Sequence, residues 1–275
     1  MVQQYRGRAG GLAGAVLALA GAVGAGGCAP HASAGPASDG RAGGAGAVRR
    51  AADVLSAAGS SKVGTSMTMA TGGTRVTIRG EGGFDFGRRT GQLRVVLPQD
   101  AAGGDEHRPI TEVLTPAAVY MKNRGANVPA DQWVRVEPAK LPDGNLVTNG
   151  ATDPLVAAEL LRGARGVTYI GTENLAGTRV WHYRGDANLL VAAKAAAPDI
   201  RQALAAAAKR FAGSSVPFDA YLDDQGRLRK VRHRFDFANE GHIVEVASTT
   251  LLYGFGTRVT AHLPPADQIY AGTVQ

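Results

Sequence analysis

Val216-Pro-Phe-Asp-Ala-Tyr-Leu-Asp-Asp-Gln-Gly-Arg-Leu-Arg-Lys-Val-Arg-His-Arg-Phe-Asp-Phe237 is the stretch that decides the fold. Val231, His233, Phe235 and Phe237 fall on one face, and Arg232, Arg234 and Asp236 on the other. This period of two belongs to a strand with one face buried and one face wet. Asp223-Asp224-Gln225-Gly226 interrupts the alternation with turn residues, and its glycine suits a position of positive φ. The spacing therefore predicts strands over Val216–Leu222 and Leu228–Phe237 joined as a hairpin, with a further strand over Ile243–Tyr253.

Working upstream, Asn188–Phe211 changes to a helical period. Pro198 divides it into a helix ending near Ala196 and a second one running to Phe211, whose apolar stripe is Ile200, Leu204, Ala208 and Phe211. Val167–Glu173 and Thr178–Arg184 read as a hairpin around Leu175–Gly177. Asp153 is a good helix N-cap, and Pro154 follows it at the first helical position. Short strands are expected at Glu112–Leu114, Ala118–Lys122 and Gln132–Glu137. Earlier still, Met67 and Met69, Val76 and Ile78, Phe84 and Phe86, and Leu93, Val95 and Leu97 alternate with polar neighbours, with turns at Gly72-Gly73 and Arg88–Gly91. Gly80, Gly82 and Gly83 predict a bulge or sharp bend. Val48–Ala58 is read as a short helix. Together these elements predict an α+β fold: a single large curved antiparallel β-sheet, a half-open barrel of about ten or eleven strands, with helices packed on the concave side.

The N-terminus carries an address. Arg6 and Arg8 precede an apolar run from Leu12 to Val23, followed by Ala25, Gly26, Gly27 and Cys28, which is the order of a secretion signal. The single cysteine of the 275 residues stands directly after the small residues. No intramolecular disulfide is available, nor a zinc site built on two thiolates of this chain. The segment resembles the lipobox of bacterial lipoproteins, with Ala25 where Leu is commoner, and so implies lipidation at Cys28. Residues 29–46 contain no large apolar side chain and are read as a flexible tether. The expected organisation is a signal peptide at 1–27, a lipidated cysteine and tether at 28–46, and a folded domain at 47–270. Two acyl chains make a stable anchor. The location expected is the extracytoplasmic face of the cell membrane. Loss of the leader removes two arginines from a formal charge of +7, and no dense basic stripe with interleaved aromatics remains. Nucleic acid is not an expected partner.

Several segments resemble the LppX/LprG group of actinobacterial lipoproteins over roughly residues 48–253. They are Ala118-Val-Tyr-Met-Lys122 with Gln132-Trp-Val-Arg-Val136, Tyr183-Arg-Gly-Asp186 leading into the Ala-rich helices, and Val216–Val231. That group is similar to the LolA/LolB carriers, in which a half-open barrel and a helical lid enclose an apolar cavity. The resemblance implies a cell-envelope lipoprotein that binds, and transfers or presents, an acylated lipid. It implies no catalytic motif and no cofactor. Any transporter partner in the envelope is left unidentified. Met67, Met69, Met121, Trp181, Phe218, Phe235 and Phe237 are the candidate lipid-cavity residues, against the plainer reading that each is ordinary core.

Other chemistry is weakly marked. His182, His233 and His242 lie in or beside strands, and His242 with Glu245 is a conceivable acid–base pair, but no nucleophile elbow or HExxH helix accompanies them. Asp223, Asp224 and Gly226 lack the acidic positions of a calcium loop. Asp100–Arg108 is expected to be a polar loop near a strand edge. Two rivals to the lipid carrier remain at this point: an accessory or sensor lipoprotein that binds a protein or polysaccharide with its interior filled, and an envelope enzyme.

Overall fold

A computed structural model describes residues 44–98, 108–125, 128–148, 152–211, 213–239 and 242–271, with the side chains of 237–239 excepted. The leader, Cys28, almost all of the tether and residues 100–107 of the polar loop lie outside the described residues.

Eleven strands form one sheet. They are β1 Ser60–Thr71, β2 Thr74–Asp85, β3 Thr90–Val96, β4 Ile110–Leu114, β5 Val119–Lys122, β6 Trp133–Val136, β7 Ala164–Leu175, β8 Thr178–Asn188, β9 Ser215–Leu222, β10 Leu228–Asn239 and β11 His242–Tyr253. Their order is β6-β5-β4-β3-β2-β1-β11-β10-β9-β8-β7. Two meanders are thus fused where β11 pairs antiparallel with β1, Lys62 opposite Tyr253 and Ala70 opposite Glu245. The sheet is not closed. Every hairpin expected from alternation is present, and the β1–β2 turn uses Gly72 and Gly73 at φ 53° and 85°.

Among the described residues there are five α-helices, α1 Gly44–Arg49, α2 Ala51–Ala57, α3 Pro154–Leu160, α4 Leu189–Ala195 and α5 Pro198–Arg210. The single helix expected over 48–58 is instead two, divided at Arg50. Asp153 caps α3 by accepting from the Leu155 and Val156 amides at 2.7 and 3.3 Å. Asn188 caps α4 through Val191 N at 2.9 Å. Pro198 opens α5, where its missing N–H has no cost.

The α+β expectation is met, with the helices over one face. Leu55 of α2, Leu155 and Leu160 of α3, Leu189 of α4 and Leu204 of α5 share one core with Val63, Met67, Phe84, Leu93, Val231 and Phe235 of the sheet. The face that alternation assigned to Val231, His233 and Phe235 is therefore the helix-covered one.

The glycine cluster in β2 does not form a bulge. Pairing runs without a register shift from Ser60 opposite Asp85 to Thr71 opposite Thr74, and from Arg79 opposite Val96 to Asp85 opposite Thr90. The reason for Gly82 is close approach: a Cβ there would lie 2.0 Å from the Gln92 carbonyl oxygen.

Beyond β11 the chain crosses the other face of the sheet. Gly256 N donates to Ser60 O at 2.9 Å, and Val259 packs over Gly83. Tyr270 N then donates to Trp133 O at 2.8 Å, beside a parallel bridge between Trp133 and Ile269. This strap was not legible in the sequence, because it has no period.

Candidate functional site

Two clefts open near the β1–β2 turn, the smaller on the helix-covered face and the larger reaching through to the other face of the sheet. One, of about 360 Å³, is lined by Met69, Ile78, Pro142, Val147 and Phe211, with Arg124 and Arg210 at its margin. The other, of about 780 Å³, joins Phe211, Val216, Phe235 and Val246 of the helix-covered face to Arg75, Arg232, Arg234, Asp236 and Glu245 of the other face, and its lining is more polar than apolar. Phe211 is a wall of both, and Met69 pairs across the sheet with Val246. Both volumes lie within the usual range of small-molecule sites, about 300–1,000 Å³.

Local sequence explains how this mouth is held open. Phe211 ends α5, and its ring stacks on Phe235 of β10 with centroids 5.0 Å apart. A segment over 141–148 fills the space next to it, with Leu146 fully buried. Asp143 ties this plug together. Its carboxylate accepts from Asn145 N, Val147 N, Thr148 N and Thr148 Oγ1 at 3.2, 2.8, 2.7 and 2.8 Å. Gly144, at φ 60°, sits so close to α5 that a Cβ would lie 2.1 Å from Ala203 O.

The residues expected to line a lipid cavity are dispersed. Met69 and Phe235 line the clefts. Met67, Met121 and Phe218 are packed in the core. Trp181 is half-buried on β8, with the Arg179 guanidinium 5.3 Å from its ring centre. Phe237 stands opposite Val244, but its side chain lies outside the described residues. Val147 and Phe211, which the cavity expectation omitted, lie at the mouth. Phe211 had a visible signal, the end of the α5 stripe; Val147 had none.

Beneath the helices the sheet carries polar groups among apolar ones. Glu112 of β4 lies opposite Leu93 and Met121 in the ladder, is fully buried, and neither carboxyl oxygen has a hydrogen-bond partner. Burial pushes its pKa up to about 8, against a weak pull from Arg124. His233 of β10 lies between Ser248 and Phe218, and burial drives its pKa down to about 3. The Oγ atoms of Ser61 and Thr65 are also buried without partners. Glu112 was legible as an acid on the same parity as Ile110 and Leu114, yet the segment was read only as a strand.

The histidines are not gathered into one place. His182 is on the opposite face from His233, stacked on Tyr221 at 4.3 Å, with Nε2 2.8 Å from Asp219 Oδ1 and Nδ1 2.9 Å from Glu173. Asp219 also accepts from Arg184 Nε at 2.9 Å and Arg234 Nη2 at 3.0 Å. Burial opposes ionisation of Asp219, but these hydrogen bonds and cationic neighbours outweigh it and hold the carboxyl below its ordinary value. The site consists of charge pairs on a strand surface. In the Asp223–Gly226 turn, Asp223 is engaged by Gln225 N and by Arg227 N and Nε at 3.1, 2.9 and 2.8 Å.

An open eleven-stranded antiparallel sheet with short helices over one face and clefts at its mouth defines the architecture. Solved structures with a similar backbone path include the lipoprotein LppX of Mycobacterium tuberculosis, at 10% identity, covering 81% of this chain and 100% of that one with a TM-score of 0.48. LprF of Mycobacterium bovis matches at 13% identity over 81% of this chain and 97% of that one, TM-score 0.43. A LolA-superfamily protein of Nitrosomonas europaea matches at 10% identity over 77% and 94%, TM-score 0.33. No protein-family model and no curated protein matches the sequence.

Proposed function

We propose that this protein is a lipid-anchored envelope lipoprotein that holds the acyl chain of an anionic lipid at the mouth of its sheet, for transfer or presentation. The observation that carries the reading is the pair of clefts around Phe211. The smaller is mainly apolar, with Met69, Ile78, Val147 and Phe211 beside Arg124 and Arg210, and the larger sets Phe235 and Val246 beside Arg75, Arg232 and Arg234. Each methylene buried there is favoured by about 0.8 kcal/mol. The arginines offer charge-assisted hydrogen bonds to a phosphate headgroup. Among the described residues no helix is long and apolar enough to cross a membrane. Retention at the membrane is assigned in this reading to Cys28, from its place in the lipobox-like segment, with residues 29–46 as the tether.

One observation favours a second reading. The interior between sheet and helices is occupied by side chains, and the cleft lined by Phe84, Leu155 and Ile200 amounts to only about 60 Å³. An accessory or sensor lipoprotein with a filled interior matches that feature. Native mass spectrometry of residues 30–275 purified from a lipid-containing host separates the two. A stoichiometric lipid adduct, weakened by Met69→Asp, supports the carrier. A clean apo mass, with no uptake of added anionic phospholipid, supports the accessory module.

A further inference from the structure

The two ends of the sheet carry their cations differently. At the end away from the clefts, the turns hold cations matched by acids. Arg88 lies 3.8 Å from Asp85, Arg179 3.5 Å from Asp224, and Arg227 and Arg229 2.8 and 3.6 Å from Asp223. At the mouth end, Arg75 begins β2, Arg124 follows β5, and Lys209 and Arg210 close α5. Arg75, Arg124 and Lys209 form no ion pair among the described residues. Acids are few beside them. Asp143 is buried with four hydrogen bonds on its carboxylate, and Asp236 and Glu245 lie on the outer face, opposite each other in the ladder.

An apolar side chain stands at the same end. β11 runs beyond its last pair with β1, Ala70 opposite Glu245, and in this overhang Ile243 is 57% exposed. Cations without partners set up a positive field in front of the mouth, which draws anions to it. Ile243 adds a demand of another kind, a medium in which an aliphatic side chain leaves water. A soluble polyanion would engage the cations and leave Ile243 wet.

We propose that the mouth end docks on the surface of an anionic lipid bilayer. Arg75, Arg124, Lys209 and Arg210 meet the headgroup phosphates, and Ile243 enters the boundary between headgroups and acyl chains. Each cation close to an anionic leaflet strengthens binding by about fivefold. Asp236 and Glu245 stand on the outer-face side, so the helix side, with Arg124, Lys209 and Arg210, leans toward the leaflet. In this position the clefts open onto the membrane, and a lipid passes between leaflet and cleft without crossing water. The inference deepens the carrier reading and rests on it for that last step alone; the docking itself follows from the charge and from Ile243.

Flotation of residues 30–275 with lipid vesicles tests it. That chain lacks Cys28, so binding belongs to the domain itself. The expected result is binding to vesicles that mix phosphatidylcholine with phosphatidylglycerol, little to phosphatidylcholine alone, and a loss as salt is raised. Lys209→Glu and Ile243→Ser change residues outside both clefts. Each should weaken vesicle binding by about tenfold or more and leave any lipid adduct in place. The two lie on different elements, so a folding defect in one leaves the other to decide. Arg88→Glu makes the same charge change at the far end and should stay within about twofold of the parent. Native mass spectrometry reads the adduct separately. Vesicle binding with no adduct keeps the docking and removes the carrier reading, and an adduct with no vesicle binding does the reverse. Equal binding to both kinds of vesicle, an equal loss in Arg88→Glu, or retention on soluble polyglutamate with none on vesicles also overturns the docking.

Discussion

Replacing Glu112 by Gln removes the proton but keeps the shape, and so isolates the effect of a carboxyl buried without a partner. The group titrates at about 8 in the folded chain and has an ordinary value of 4.5. Between those values the folded protein retains a proton that the unfolded chain has released. Stability attributable to this group therefore falls as pH rises, by about 1.4 kcal/mol for each unit, and levels off above the folded value. From pH 5 to pH 9 the loss is about 4 kcal/mol, a large part of the stability of an ordinary domain. Glu112→Gln is free of this loss. Urea unfolding of residues 30–275 at pH 5, 7 and 9 measures it directly. The variant should match the parent within about 1 kcal/mol at pH 5 and exceed it by about 4 kcal/mol at pH 9. Other titrating groups, His233 among them, cancel in the difference. Curves that keep a constant separation across the three pH values would refute the reasoning, since Glu112 would then be ionised or solvated in the folded state.

Other outcomes are expected from neighbouring features. His233, held neutral by burial at about 3 against an ordinary 6.5, contributes stability that is present above pH 6.5 and lost as pH falls toward 3. His233→Phe should therefore shift the acid unfolding midpoint, followed by circular dichroism, to lower pH. Gly82→Ala forces a Cβ against the Gln92 carbonyl and should cost several kcal/mol in thermal unfolding, on the order of 3 or more. Gly83→Ala meets the Val259 side chain at 2.9 Å and the Ser61 carbonyl oxygen at an ordinary 3.5 Å; it should leave the midpoint within a few degrees and instead speed proteolysis in 254–271. Asp143→Ala removes the acceptor of four hydrogen bonds and should lower stability by roughly 3 kcal/mol, while raising dye uptake at the mouth. Cys28→Ser should release the protein from membranes into the medium, and a variant still sedimenting with membranes refutes the anchor.

The strands were readable because their determinant is local. Arg232, Arg234 and Asp236 against Val231, His233 and Phe235 need only a period of two to define a face. The Pro198 break and the Asp153 cap are equally local, and both stand as expected. The mouth was only half readable. Met69 and Phe235 were named from alternation, but Met67, two residues from Met69 on the same face, is sealed under the helices. Which of two such residues faces an opening is decided by where the plug and α5 stop. That depends on Gly144 against Ala203, a contact fifty-nine positions apart that no window of sequence contains. The Arg89–Asp199 pair joins a hairpin turn to a helix start for the same reason. Arg89 looked like an ordinary turn residue. Of the bulge or sharp bend expected at Gly80–Gly83, the bulge is absent, because a glycine serves either a kink or a tight crossing, and only the partner strand tells them apart.

An open sheet has two ends, and here each is altered in its own way. At β6 the returning chain takes Trp133 O for the Tyr270 amide and adds a bridge at Ile269. At β7 the register slips twice, between Arg165 and Thr168 and between Tyr169 and Gly171, so its outer backbone is kinked. Neither end presents a straight template on which a neighbour can add a strand. In the anchored state proposed here, which would concentrate the protein into two dimensions, that is a safeguard against polymerising along the membrane plane. Molecules crowded on one leaflet would then remain separate diffusing units.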